Sequence, residues 1–159
     1  MTWRGRTVSV VFPAYNEAEG IVAAVEDFQR QRIADEIVVV DNNSTDRTAE
    51  LVLDHGTARL VREARQGYGH ALIRGLREAT GDLVVLAEPD GTFLGRDLHK
   101  LLAYAEDFEL VLGTRTMREM IWSEANMGWF LRLGNLFVAK LLEILFNGPQ
   151  LSDCGCTMR

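Results

Sequence analysis

Cysteine is nearly missing from this chain. The two present, Cys154 and Cys156, stand one residue apart near the C-terminal end, and such close neighbours rarely bridge. That argues against a disulfide framework, and without a second Cys or His cluster it argues against structural zinc. Reduced thiols in a cytoplasmic setting are the plainer reading. Basic charge is also in deficit: 17 Lys and Arg face 23 Asp and Glu, a formal net charge of -6. A general nucleic-acid binder would carry a basic face, so that class is set aside; a local basic cluster can still meet an anionic substrate. Long uncharged apolar runs are lacking too. The most lipid-like stretch, "MGWFLRLGNLFVAKLLEILFN" from Met127 to Asn147, is broken by Arg132, Asn135, Lys140 and Glu143, whereas a spanning helix needs about 20 nearly uncharged residues. No transmembrane helix is expected, and the N-terminus lacks the apolar core of a signal peptide. Absent as well are a Walker A sequence, a Rossmann fingerprint after the first strand and a Ser/His/Asp arrangement, which lowers the case for a P-loop ATPase or an NAD enzyme. His55, His70 and His99 lie on predicted helices or at their ends without metal-ligand spacing and read as structural.

What is present is an ordinary core: 47% hydrophobic residues in 159, enough for one domain. Short apolar runs alternate with helical patterns. "VSVVF" (8–12), ended by Pro13, reads as a strand, and Ile21, Val25 and Phe28 follow at helical spacing. "EIVVV" (36–40) is a second strand, then a helix capped by Ser44 or Thr45 and stopped by Gly56. "ARLVREA" is a weaker third strand, "GYGHALIRGLREATG" a helix, "DLVVLAEPD" a fourth strand, "GRDLHKLLAYAE" a helix and "DFELVLGTR" a fifth strand. An amphipathic segment from Ile121 to Phe146 completes the pattern, uninterrupted by repeats or linkers. Strands alternating with helices imply an α/β fold, a mainly parallel sheet whose ligands collect beyond the carboxyl ends of the strands. The polar clusters "PAYNE", "DNNSTD", "EPDGTF" and "GTR" each follow a strand, so all four are expected at one crevice.

The chemistry at these strand ends is specific. Glu88 and Asp90 flank Pro89. Two unpaired carboxylates so close raise one another's pKa, a conflict that a hard divalent cation, Mg2+ or Mn2+, removes. Pro-Asp-Gly is also good turn chemistry, so an acidic loop stands beside the metal reading. Asp41 and Asn42 can read a base edge or a ribose hydroxyl, or form an Asx-turn and helix cap, and both can hold at once. Tyr15 can lie against a base with Glu17 near a ribose. Arg65 precedes Gly67 and Gly69, which would let a backbone pass close to a phosphate. Arg115 ends the predicted fifth strand and can pair with a phosphate or with a surface acid.

Taken in order, "FPAYNE", "VVVDNNSTD", "RQGYGHAL", "EPDGTF" and "GTR", with "LRLGN" and "LSDCGCTMR" behind them, resemble the family-two glycosyltransferases of GT-A fold. Within these the chain looks most like the branch that loads mannose or glucose onto a dolichyl or polyprenyl phosphate. The resemblance covers most of the chain and implies one domain over 1–159, with a nucleotide-sugar part at 1–115 and an acceptor part at 116–159; the family normally continues beyond "DCGCTMR". It implies that Pro13, Tyr15, Glu17, Val40, Asp41, Asn42, Arg65, Gly67, Glu88 and Pro89 line the nucleotide-sugar pocket. Glu88 and Asp90, with Thr92 as a further oxygen, stand at the metal-binding Asp-x-Asp. Arg115 and Arg132 would hold phosphates, Arg132 that of the acceptor, and Asp153 would stand near the acceptor, so that Asp90, Arg115 and Asp153 carry the catalytic roles. Two departures are visible: Glu88 is a methylene longer than the usual Asp, and Asn42 replaces a frequent second Asp. The implied reaction is an inverting, metal-dependent single displacement from GDP-mannose or UDP-glucose. Beside it stand a soluble or polysaccharide acceptor and a non-catalytic nucleotide-sugar-binding module. Trp122, Trp129, Arg132 and Lys140 make 121–146 a candidate peripheral contact with the cytoplasmic membrane face; covering the sheet or pairing in a homodimer suits the same pattern.

Overall fold

The computed structural model describes residues 2–113 and 129–146. Among these, β1 (Val8–Ala14), α1 (Ile21–Arg30), β2 (Glu36–Asp41), α2 (Thr48–His55), β3 (Arg59–Arg62), α3 (Tyr68–Glu78) and β4 (Leu83–Leu86) alternate along the chain. A 3-10 turn (Gly95–Asp97) then leads into α4 (Leu98–Tyr104), and α5 (Trp129–Phe146) follows. The four described strands pair in parallel in the order β3-β2-β1-β4.

Side-chain alternation sends successive residues of each strand to opposite faces, and both faces are covered. Val8, Val10, Phe12, Ile37, Val39 and Val85 pack with Ile21, Val25 and Phe28 of α1, Val52 of α2, and Leu98 and Leu102 of α4. Phe12 and Phe28 meet edge to face, centroids 5.0 Å apart at 83°, the favoured geometry for two rings. On the other face Val11, Val38, Val40, Val61 and Leu86 meet Ala71 of α3. That helix seats closely because Gly75 has no side chain: a Cβ there would fall 2.3 Å from Val11 Cγ1.

Two expectations change. The apolar run 109–113 forms no strand, and Leu110 and Leu112 are exposed. An apolar run becomes a strand only where it lies along a neighbour's ladder; this one does not pair with β4, which remains the sheet edge among the described residues. Helix α2 begins at Thr48, not directly after Ser44 or Thr45; Asp46 accepts from the Thr48 amide at 2.9 Å. Ser44 and Thr45 hold a neighbouring loop instead. Gly56 does stop α2, at φ 73°, the left-handed position favouring glycine.

At the amino ends of the strands one carboxylate ties the sheet together. Glu36 of β2 accepts from Ser9 Oγ of β1 at 2.6 Å, from Arg59 Nη2 of β3 at 2.8 Å, and from the Thr80 amide and hydroxyl before β4 at 3.0 Å each. Burial alone would raise its pKa, but the bonds from Ser9, Thr80 and Arg59 outweigh it and bring it from 4.5 down to about 2. A carboxyl depressed in the folded state stabilises it above its unfolded pKa, and this support is lost as pH falls from 4.5 through about 2. Glu36→Gln should destabilise the protein by about 2 kcal/mol at neutral pH, with the gap to wild type narrowing as acid protonates Glu36; urea denaturation across pH 2–7 checks this.

Candidate active site

Strand β1 outlasts β4. The last β1–β4 register pair is Val11 with Leu86, and the Ala87 amide closes the ladder on Val11 O at 3.1 Å. Phe12, Pro13 and Ala14 continue past that point, held on the other side by β2, where the Asn42 amide donates to Ala14 O at 2.9 Å. A proline in a central strand normally breaks a ladder. Here Pro13 follows Val11 by two residues, so its missing N–H would have pointed to the side that β4 has already left, and no bond is lost. A cavity of about 320 Å³ opens there, where strand order reverses, as parallel sheets lead one to expect.

The cavity is built from four strand ends. The loop after β1 gives Pro13, Ala14, Tyr15 and Glu17; that after β2 gives Asn42; the loop after β3 and the first turn of α3 give Gln66, Tyr68 and Ala71; that after β4 gives Glu88, Pro89 and Asp90. Three carboxylates therefore share one crevice. Among the described residues Glu17 and Glu88 make no side-chain hydrogen bond or ion pair, and Asp90 accepts only from the Thr92 amide, at 2.9 Å. Burial, then the charges of Asp90, Glu88 and Asp46, push Glu17 above the usual carboxylate range. This is an acidic pocket without a matching basic group among the described side chains.

Hydrogen bonds between loops hold it open. Asn16 donates its amide to Ser44 Oγ (3.0 Å) and accepts from the Thr45 amide (2.8 Å). The Glu17 amide donates to Thr48 Oγ1 (2.8 Å), and the Ala18 amide to Asp46 (3.1 Å). Asn42, buried, donates to the carbonyls of Glu63 and Arg65 at 2.9 and 2.8 Å and accepts from the Gly67 amide at 2.7 Å. Both amide hydrogens are thus committed to the backbone, and Asn42 shapes the loop before α3 while edging the cavity.

Neighbouring positions diverge because a strand turns each residue the opposite way. The Val40 side chain points into the core with Val11, Val38 and Ala71, not into the crevice. Asp41 accepts from the Ser44 amide at 3.2 Å, the Asx-turn, and lines a separate groove of about 550 Å³ with Asp46, Glu50 and Arg62. Arg65 is exposed, pairs with Glu63 at 3.1 Å and does not line the cavity. Gly67, at φ 134°, caps the start of α3, and Thr92 is exposed in the turn after Asp90; neither lines the cavity. Arg115 and Asp153 lie outside the described residues; Arg132 falls in α5, its side chain also outside them. Gln66, Tyr68 and Ala71 were not singled out from sequence, although their motif was; Tyr68 and Ala71, three apart at a helix start, share a face.

The family model for glycosyl transferase family 2 matches residues 9–159. The chain belongs to that family. The low-salt glycan biosynthesis hexosyltransferase Agl6 of Haloferax volcanii is 33% identical over 162 residues, spanning 96% of this chain and 38% of that protein. The undecaprenyl-phosphate 4-deoxy-4-formamido-L-arabinose transferase of Edwardsiella ictaluri is 28% identical, spanning 96% and 48%. A crystal structure of glucosyl-3-phosphoglycerate synthase from Mycobacterium tuberculosis with Mn2+, UDP-glucose and phosphoglyceric acid superposes with a TM-score of 0.59 at 30% identity, over 69% of this chain and 42% of that one; another crystal of that enzyme contains Mg2+ and UDP. These neighbours match the α/β architecture expected of a GT-A fold. The chain spans 38% and 48% of the two curated relatives. Within this family member, Asn42→Ala would strand two carbonyls and one amide, and it should destabilise by about 2–3 kcal/mol, whereas Asp41→Asn, still able to accept from Ser44, should stay within about 0.5 kcal/mol of wild type. Urea denaturation of both variants is the check.

Proposed function

We propose that this chain binds a nucleoside-diphosphate sugar, UDP-glucose or GDP-mannose, together with a divalent cation, and forms the donor side of a glycosyltransferase whose acceptor bears a phosphate. The observation that carries this reading is the crevice at the β1/β4 switch, where Glu17, Glu88 and Asp90 converge with no cation among the described side chains. A donor diphosphate would only add negative charge there, so a metal must come with it. Among the described residues no group of three His, Cys, Asp or Glu side chains forms a metal cage. None is needed, since Mg2+ commonly takes one or two carboxylates and completes its shell with substrate phosphates and water. Glu88 and Asp90 fit that role, Glu88 with its side chain unengaged and Asp90 with one oxygen taken by the Thr92 amide.

When bound, such a cation supplies charge stabilisation for the departing diphosphate. The chain's own residues do the rest of the positioning. Pro13, Tyr15 and Tyr68 give a nucleoside apolar and aromatic surface, and Glu17 stands within reach of hydroxyls in the same cavity. Arg115 is the proposed partner of the phosphates. The acceptor is proposed to be a polyprenyl phosphate, already anionic and in little need of a general base; Asp153 would be called on for an alcohol. In support, Phe137, Ile144, Leu145 and Phe146 of α5 are exposed beside Lys140, a pattern suited to the edge of a membrane. No described helix is long and apolar enough to cross one. The Edwardsiella relative is named for undecaprenyl phosphate, while the mycobacterial neighbour was crystallised with phosphoglyceric acid, so a small phosphorylated acceptor is the second reading.

With Mn2+ present, saturation by UDP-glucose or GDP-mannose at a hundredfold excess over its Kd should stabilise the protein by about 2.7 kcal/mol, and Asp90→Ala should abolish that gain with the fold intact. Thermal denaturation with each nucleotide sugar, with and without Mn2+, reads this; a gain that survives in Asp90→Ala removes the cation site. Nucleotide release stimulated by polyprenyl phosphate, and not by 3-phosphoglycerate, would decide between the acceptors.

A further inference from the structure

Gly20, the residue capping the start of α1, has φ -107° and ψ -27°. Any L-residue adopts that conformation, so backbone freedom does not account for a glycine here. Space does. A Cβ on Gly20 would lie 2.6 Å from the carbonyl oxygen of Pro89 and 4.0 Å from Asp90 Cα. Gly20 cannot yield, because its amide donates to Glu17 O at 3.1 Å and its carbonyl accepts from the Ala24 amide at 2.9 Å. Pro89 is buried and its φ is fixed by its ring, so displacement of its carbonyl passes to the residues on either side, Glu88 and Asp90.

The far end of the same loop rests on the same helix. A Cβ on Gly95 would lie 2.5 Å from Asp27 O, and the Gly95 amide donates to Asp27 Oδ2 at 2.6 Å. The acidic loop therefore crosses α1 between two glycine contacts, one at the helix start and one along its length.

We infer that Gly20 is a positioning residue for the carboxylate pair, acting through Pro89, with α1 as the rigid seat that fixes where Glu88 and Asp90 present their oxygens. The inference rests on the cation-site reading above and adds to it the part of the chain that sets the site's geometry. Gly20→Ala suits the helical backbone but presses on a backbone carbonyl, so the variant should stay folded and melt below wild type. Its uptake of Mn2+ in the presence of UDP, read from the paramagnetic resonance of the free ion, should weaken by about tenfold or more. Without any metal, amide exchange at Thr92, whose N–H is held by Asp90, should quicken. Asp27→Ala, which frees the other end, should move both readouts the same way. Wild-type Mn2+ affinity and unchanged exchange in Gly20→Ala would overturn the inference. A wild-type chain that takes up no Mn2+ would overturn the cation-site reading instead, and the exchange comparison would still decide whether Gly20 holds the loop.

Discussion

Like charges brought together in a partly dry crevice repel, and the site of this protein depends on a backbone stiff enough to withstand that repulsion. Glu17, Glu88 and Asp90 arrive from two different loops. Left to themselves, those loops would part until water screened the charges. They do not, because each is held away from its acid: the Glu17 amide by Thr48, the next residue by Asp46, and the Glu88–Asp90 loop by its seat on α1. The energy that assembles the crevice comes from hydrogen bonds and core packing around it, which leaves the carboxylate oxygens available.

The two ends of the sheet show the contrast in chemical terms. Glu36 and Glu17 are both partly buried glutamates, and burial is the largest influence on each. Glu36 has an arginine, two hydroxyls and an amide, and its pKa falls; Glu17 has only acids for company, and its pKa rises. A compensated acid behaves as structure, joining the starts of the strands. An uncompensated one is the kind of group that the proposed cation would answer. The chain has segregated the two, stability at the amino ends of the strands and unmet charge at the carboxyl ends.

The carboxyl-end half of that segregation is readable from the residues, whereas nothing in the sequence marks the Glu36 network at the other end. Unbroken Val and Leu runs announce buried strands, and the clusters after them announce a shared crevice; Pro13, Tyr15, Glu17, Asn42, Glu88, Pro89 and Asp90 do meet there. What escaped the sequence depended on partners distant along the chain. The run at 109–113 has a strand's composition but does not pair with the open edge of β4. Val40 and Asp41 belong to a motif, yet pleat geometry sends one into the core and the other to a separate groove. Asp46, not Ser44 or Thr45, holds the first amide of α2, since both of those are tied to Asn16. Gly20 carries no signal of its role in the sequence, and its contact with Pro89 supplies one.

Pro13 connects these strands of reasoning. A residue with an N–H at this position would present an unpaired donor to the crevice beyond the end of β4, satisfiable by water or by one of the acids. Either outcome would work against the proposed ligand, by hydrating the floor of the pocket or by compensating a carboxylate that the cation requires. Proline removes the donor while keeping the pairing of β1 with β2 on the other side. It leaves an apolar floor beside the three carboxylates, and a nucleoside joined to a metal-bound diphosphate needs both surfaces within one cavity. The shortness of β4 and the proline in β1 are thus one structural solution: the first opens the gap, and the second lets it exist without an unsatisfied backbone group.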